Sequence, residues 1–91
     1  MGFEWDEVKN QANIIKHGID FIRAKEIFNS PVLETVDDRY DYGESRVIAI
    51  GVTNEIELAV VYTMHGDVRR IISARRARRD ERRAYRQAYP G

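Results

Sequence analysis

The 91-residue sequence contains no cysteine, and only two prolines, two histidines and three lysines. Without cysteine, disulfides and thiolate metal sites are excluded, and an intracellular location is expected. No apolar stretch approaches the roughly 18 residues that a membrane-spanning helix needs, and the first residues lack the basic and then apolar layout of a signal peptide. We therefore expect a single cytoplasmic domain that covers residues 1–91 and has no contact with a membrane.

Arginine, by contrast, is abundant and is concentrated near the carboxyl end. Of the twelve arginines, nine lie within residues 69–86 beside two acidic residues, so that this stretch carries a net charge of +7. The rest of the chain carries −7, which is why the overall charge is zero. Arginine binds phosphate through paired hydrogen bonds, so clustered arginine is typical of nucleic-acid-binding surfaces. An acidic protein partner and simple solvation of a charged helix are the alternatives.

The order of the sequence patterns predicts an α+β domain. Two short helices come first, an antiparallel sheet of three to four strands follows, and a basic helix ends the chain. Asp6 and Asp20 are expected to cap the first two helices, and Gly18 to end the first helix in the left-handed conformation. The first helix is expected to bury a stripe of apolar residues at spacings of three and four, namely Trp5, Val8, Ala12, Ile15 and Ile19.

The predicted strands are rich in β-branched residues and are bounded by turn residues. They cover residues 32–36, 46–52, 56–64 and 68–73. In the third of these strands, alternation assigns Leu58 and Val60 to a core face, and Thr63 and His65 to the opposite face. We expect the helices to cover the core face and to leave the second face open.

Helix-forming residues predict a final helix from Ala74 to about Ala88, with Ser73 as its N-cap. Its apolar positions are few, so it can pack on the domain only through a narrow stripe. The rest of its surface is expected to present arginine to the solvent.

Several side chains are candidates for chemistry. Arg69 and Arg70 are adjacent in a predicted strand and must point to opposite faces, so that one of them lies on the open face with His65. That arginine could bind phosphate, or it could instead pair with an acidic turn residue. Imidazole titrates near neutral pH, so His65 and His17 are both candidates for a general base. For His17, interaction with the end of the first helix is the alternative.

A metal site would have to come from the acidic turn at residues 37–44. Its carboxylates match no calcium-loop spacing, and acidic residues in exposed turns are usually solvated. The sequence also contains no glycine-rich nucleotide motif, nucleophile elbow or zinc pattern. We therefore expect neither a metal nor a cofactor.

Five segments resemble the BrnT family of bacterial toxins. They are Phe3-Glu4-Trp5-Asp6, Lys16-His17-Gly18, Gly43-Glu44-Ser45-Arg46, Arg70-Ile71-Ile72-Ser73-Ala74-Arg75 and Glu81-Arg82-Arg83-Ala84-Tyr85. They are distributed over nearly the whole chain, from Phe3 to Tyr85. The resemblance implies a fold similar to the RelE toxins, and a ribonuclease that blocks translation until a cognate DNA-binding antitoxin, BrnA, neutralises it. It also implies that the toxin reaches the promoter DNA of its operon only through the antitoxin.

The resemblance also implies site residues. Arg70 and Arg75 are expected to bind the scissile phosphate and the transition state. The further candidates for catalysis from the matching segments are Lys16, His17, Glu44, Arg46 and Tyr85, to which the residues alone add His65. The arginines expected to bind RNA are Arg69, Arg76, Arg79 and Arg83. The alternative function is a non-catalytic module that binds nucleic acid or protein through its arginine-rich helix.

Overall fold

The structure is a computed structural model, and it describes residues 2–91. In chain order the elements are β1 (Gly2–Glu4), α1 (Glu7–His17), α2 (Phe21–Ala24), a 3₁₀ helix (Lys25–Asn29), β2 (Leu33–Asp37), β3 (Arg46–Thr53), β4 (Ile56–His65), β5 (Val68–Arg76) and α3 (Arg79–Ala88). The predicted α+β class is confirmed. Within residues 2–91, no helix is long and apolar enough to cross a membrane.

The five strands form one mixed sheet in the order β1-β5-β4-β3-β2. The pairs β2–β3, β3–β4 and β4–β5 are antiparallel, as predicted. The sheet has one strand more than the predicted three to four, because β1 adds to its edge in parallel with β5. This pairing places Glu4 of the first strand beside Arg70 of the last strand.

Helices cover both faces of the sheet, but to different extents. The first face, here called the helix face, includes Val60 and Ala74 and packs against α1, α2 and the 3₁₀ helix. On the opposite face, α3 packs Tyr85 over Ala59 at one end of the sheet. The expectation of a fully open second face is therefore wrong, because the narrow apolar stripe of α3 covers part of it.

The caps of α1 are confirmed, whereas its predicted buried stripe is correct only at the flanking Trp5 and Ile19 and wrong within the helix. The Asp6 side chain accepts a hydrogen bond from the Val8 backbone amide at 2.8 Å, and Gly18 is left-handed with φ of 71°. Val8 and Ile15 are 78% and 88% exposed. The buried residues of this helix are polar, namely Asn10 and Asn13.

Asn13 is buried because its amide completes the hydrogen bonding of β5. Strand β1 pairs only with residues 68–70, and beyond it the edge of β5 lacks a neighbouring strand. There the Asn13 side chain accepts from the Ala74 amide at 3.1 Å and donates to the Ala74 carbonyl at 2.9 Å. It also donates to the Ile19 carbonyl at 2.9 Å. A helix that must hydrogen-bond the unpaired backbone of a strand edge needs a polar side chain on its buried face. Apolar periodicity alone therefore predicts the wrong buried face for α1.

The last strand is longer and the last helix starts later than predicted. Strand β5 continues to Arg76, which pairs with Leu58 of β4. Backbone hydrogen bonds to β4 thus outweigh the helix propensity of the residues from Ala74 onward. Helix α3 begins at Arg79 with Arg78, and not Ser73, as its N-cap residue.

Candidate active site

A β-bulge in β5 decides which arginines share a face. The register between β4 and β5 shifts between Val61 and Tyr62, which leaves Ile72 as an extra residue in β5. In a regular strand, Arg70 and Arg75 would point to opposite faces, because five positions separate them. The bulge reverses the alternation once and brings both side chains to the same face.

This second face of the sheet, here called the arginine face, carries three arginines from two strands. Arg75 lies beside Ala59 and Arg70 beside Thr63 in the register of β4. Ile48 of β3 packs on the buried cluster under α3 and so lies on the arginine face. Arg46 is two positions before Ile48 in the same strand and therefore points to the same face. The arginines thus come from β3 and β5, on either side of the central strand β4.

Arg46 is held by the turn that precedes β3. Its Nε lies 3.1 Å from Oε2 of Glu44, and its guanidinium carbon is 3.8 Å from the centre of the Tyr42 ring. The Thr63 hydroxyl donates to the Ser45 carbonyl at 2.6 Å and so ties this turn to β4. Two sequence-predicted residues, Glu44 and Arg46, are therefore in contact at one end of the arginine face.

Arg70 and His65 share one carboxylate oxygen. Oε2 of Glu4 is 2.6 Å from Nη1 of Arg70 and 3.4 Å from Nδ1 of His65. The hydrogen bond from Arg70 is the main cause that lowers the pKa of the Glu4 carboxyl; partial burial opposes it, and the proximity of His65 adds to it. About half of the His65 side chain and a third of the Arg70 side chain are exposed to solvent.

Arg75 is paired with Glu81 at the start of α3. Its two terminal nitrogens donate to the two Glu81 oxygens at 2.7 and 2.9 Å, and this hydrogen bonding raises the pKa of Arg75. Burial acts to raise the pKa of Glu81, but hydrogen bonds from Arg75 and from the Arg78 backbone amide outweigh it, so the pKa lies below its ordinary value. A phosphate that binds Arg75 would therefore compete with this carboxylate.

Two of the predicted RNA-binding arginines lie on the helix face. Arg69 pairs with Met64 and Arg76 with Leu58, so both point away from the arginine face. The Arg69 guanidinium carbon is 4.2 Å from the centre of the Phe28 ring, and among residues 2–91 its buried Nε has no hydrogen-bond partner. The prediction that Arg69 and Arg70 point to opposite faces is confirmed.

Lys16 and His17 do not join the three arginines. Both lie in the last turn of α1, on the helix side of the sheet. His17 lines a small groove together with Arg23 and Arg76, whereas Lys16 is exposed on the helix surface. The sheet therefore separates these two candidates from the arginine face.

Tyr85 anchors α3 to the sheet. Its ring is buried, and its hydroxyl donates to the Pro31 carbonyl at 2.8 Å. Burial raises the pKa of this hydroxyl. These contacts give Tyr85 a packing role under α3.

The outer surface of α3 carries the remaining predicted RNA-binding residues. Arg79 and Arg83 are exposed, and within residues 2–91 neither forms an ion pair. Their groove of about 400 Å³ is lined by Arg79, Arg82, Arg83, Arg86 and Gln87. Four of its five lining residues are arginines.

The acidic turn is organised by arginine. Asp37 is 5% exposed and accepts hydrogen bonds from Nε and Nη2 of Arg39 at 2.8 and 3.1 Å. These bonds from Arg39 lower the pKa of Asp37, although burial opposes them. In the part of the chain from residue 2 onward, no group of three histidine or acidic side chains is arranged to hold a metal ion.

Glu4 and Glu81 were not predicted to be site residues from the sequence. Glu81 carries a usable local signal, since it lies three residues after the N-cap Arg78 and accepts from its backbone amide at 2.7 Å. Glu4 carries none, because its partner Arg70 is 66 residues away in the chain.

Comparison with known proteins identifies the family. Residues 5–81 match the family model described as the ribonuclease toxin BrnT of type II toxin–antitoxin systems. The chain belongs to this family, as the resemblance in its sequence implied. Its structure is similar to the crystal structure of the Brucella abortus ribonuclease toxin BrnT, with 36% sequence identity and a TM-score of 0.66. The match covers 87% of this chain and 99% of that chain. A search of curated proteins gives no match.

Proposed function

We propose that this protein is a metal-independent endoribonuclease that cleaves RNA in the cytoplasm and thereby inhibits translation. The observation that carries the proposal is the common face of Arg46, Arg70 and Arg75, with His65 beside Arg70. Each of the three guanidinium groups is paired with a carboxylate. A phosphate would compete with Glu81 for Arg75, whereas Glu4 contacts only Nη1 of Arg70 and leaves the other nitrogens of Arg70 for a phosphate.

The chemistry follows from what RNA itself supplies. His65 accepts the proton of the 2′-hydroxyl, the 2′-oxygen forms a bond to phosphorus, and the bond from phosphorus to the 5′-oxygen breaks. A proton from an acid or from water goes to the leaving 5′-oxygen. The products are a 2′,3′-cyclic phosphate and a 5′-hydroxyl. The arginines stabilise the negative charge that develops on the phosphorane, a role that preorganised donors perform well.

The exposed side of α3 suits both RNA and a protein partner. Arg79 and Arg83 lie in a cationic groove with no carboxylate partner within residues 2–91. We assign it to the RNA backbone in the active toxin and to an acidic surface of a BrnA-like antitoxin in the neutralised complex. Contact with promoter DNA then occurs only through that antitoxin.

The test of the mechanism is cleavage of RNA by the purified protein. We expect cleavage to persist in excess EDTA and to leave 2′,3′-cyclic phosphate or 3′-phosphate ends. A 2′-O-methyl group at the cut site should stop cleavage but not binding, because the contacts to phosphate remain. Products that end in a free 3′-hydroxyl, or activity that is lost in EDTA and restored by Mg²⁺, would overturn the proposal.

The same assay tests the arginine face. Arg70→Ala and Arg75→Lys should each lower the cleavage rate by roughly 10²–10³-fold, the usual effect of losing one preorganised donor. Arg23→Ala is the matched control, because Arg23 lies on the other side of the sheet in α2. A full rate for both Arg70→Ala and Arg75→Lys would move the site away from this face.

A further inference from the structure

The position of the Glu4 carboxylate is set by the first strand of the sheet. Glu4 lies on β1, a strand of only three residues at the edge of the sheet. The preceding Phe3 packs into the helix face, with its ring centre 5.5 Å from that of Phe28. Alternation along the strand therefore sends Glu4 to the arginine face, beside Arg70 and His65.

On that face a single oxygen of Glu4 serves both neighbours. Oε2 is 2.6 Å from Nη1 of Arg70 and 3.4 Å from Nδ1 of His65. A carboxylate oxygen this close to Nδ1 favours a proton on Nδ1 when the ring is neutral, which leaves Nε2 unprotonated. The position of Glu4 thus fits the tautomer that a general base needs.

We propose that Glu4 is a positioning residue of the ribonuclease site, one that holds His65 with Nε2 free to accept a proton and fixes Arg70 beside it. This inference rests on the proposed function, in which His65 accepts the proton of the 2′-hydroxyl. Glu4 itself touches neither the RNA nor the reacting atoms.

Glu4 is poorly suited to be the base itself. Its carboxylate already accepts a short hydrogen bond from Arg70, which lowers its pKa and so its affinity for a proton at neutral pH. A carboxylate that orients an imidazole, by contrast, works best when it stays ionised.

The first test is independent of RNA cleavage. In the purified wild-type protein, at a pH where the His65 ring is neutral, its imidazole ¹⁵N chemical shifts should report a proton on Nδ1. In Glu4→Gln they should move toward the form with the proton on Nε2, and Glu4→Asp should restore part of the original pattern. Glu26→Gln, in the 3₁₀ helix, is the matched control, because its carboxylate is remote from His65 and contacts Thr53.

The second test is kinetic. Glu4→Gln should lower kcat for RNA cleavage by roughly 10–100-fold, a part of the ~10²–10⁴ that a positioned general base contributes. KM should stay within about twofold, since Glu4 does not bind RNA. In a His65→Ala background the same substitution should cost much less, because the residue through which Glu4 acts is gone. Thermal unfolding of each variant shows whether β1 stays in place.

The outcomes separate the two proposals. Unchanged His65 ¹⁵N shifts or an unchanged kcat in Glu4→Gln, in a protein that cleaves RNA, would overturn the role of Glu4 alone. An equal loss of kcat with and without His65 would also do so. A folded wild-type protein without ribonuclease activity would overturn the proposed function and the catalytic role of Glu4 with it, even if the ¹⁵N shifts show the predicted contact.

Discussion

The two faces of the sheet differ in what holds them together. On the helix face, Phe21, Ala24, Ile27 and Val60 are fully buried, and aromatic rings cover the end of the core. On the arginine face, the buried cluster within residues 2–91 has four members, and the ion pairs of Arg70 and Arg75 lie beside it on the sheet. The removal of apolar surface from water thus stabilises mainly the helix face. The other side is free to present charged groups that a substrate can reach.

The largest effect on stability is expected on the helix face, at Asn13. Asn13→Ala removes three hydrogen bonds and leaves the Ala74 amide and carbonyl buried without partners. Each lost bond costs about 1 kcal/mol and an unsatisfied group more, so we expect a loss of roughly 2–4 kcal/mol in urea denaturation. Asn29→Ala, at an exposed position, is the control. Equal stability of the two variants would mean that water replaces the Asn13 amide at the edge of β5.

A smaller and pH-dependent effect is expected on the arginine face, at Glu81. Its pKa in the folded protein is lowered, so the carboxylate contributes stability at pH values above about 4.3, its ordinary value in an unfolded chain. That contribution is lost as the pH falls through the folded value. Glu81→Gln should therefore cost about 1 kcal/mol or less at pH 7, because the pair with Arg75 is partly exposed, and nothing at strongly acid pH.

The check for Glu81 is urea denaturation of both proteins at pH 7 and near pH 3. Glu55→Gln is the control, since Glu55 is exposed in the turn between β3 and β4. A difference between wild type and Glu81→Gln that grows as the pH falls would contradict the sign of the pKa shift.

The smallest effect is expected outside both faces, at Ile15. This side chain is 88% exposed on the outer surface of α1, so Ile15→Gln removes almost no buried apolar area. The melting curve should give a change within about 0.5 kcal/mol. A loss above about 1 kcal/mol would show that the predicted apolar stripe of α1 is buried after all.

Much of the fold could be predicted from the sequence because its signals are local. Asp6, Asp20 and Gly18 act at the helix ends where they were expected, since a cap depends only on the next few residues. The alternation in β4 is equally local, and it correctly divides Val60 from Thr63 between the two faces. The errors fall where a distant partner decides. The orientation of α1 depends on the edge of β5, and the length of β5 on its pairing with β4.

For the candidate site, the sequence predicted the residue types but not their arrangement. Arginine in the last third of the chain indicated a phosphate-binding surface, and Arg70 and Arg75 were among the residues selected. Their spacing alone, however, would have put them on opposite faces. Arg69 and Arg76 were selected as arginines that bind RNA, and Lys16 and His17 from the resemblance to the family, but all four lie on the helix side.

The sequence by itself determined the helix ends, the alternation in β4, the separation of charge along the chain and the family. Each of these depends on residues that are near one another or on composition alone. Only the tertiary structure decided that the bulge at Ile72 unites Arg70 with Arg75, and that Glu4 contacts a guanidinium 66 residues away. The physical reason is that the pairing of β5 with β4 and β1 depends on hydrogen bonds between distant segments, and no local pattern encodes its register.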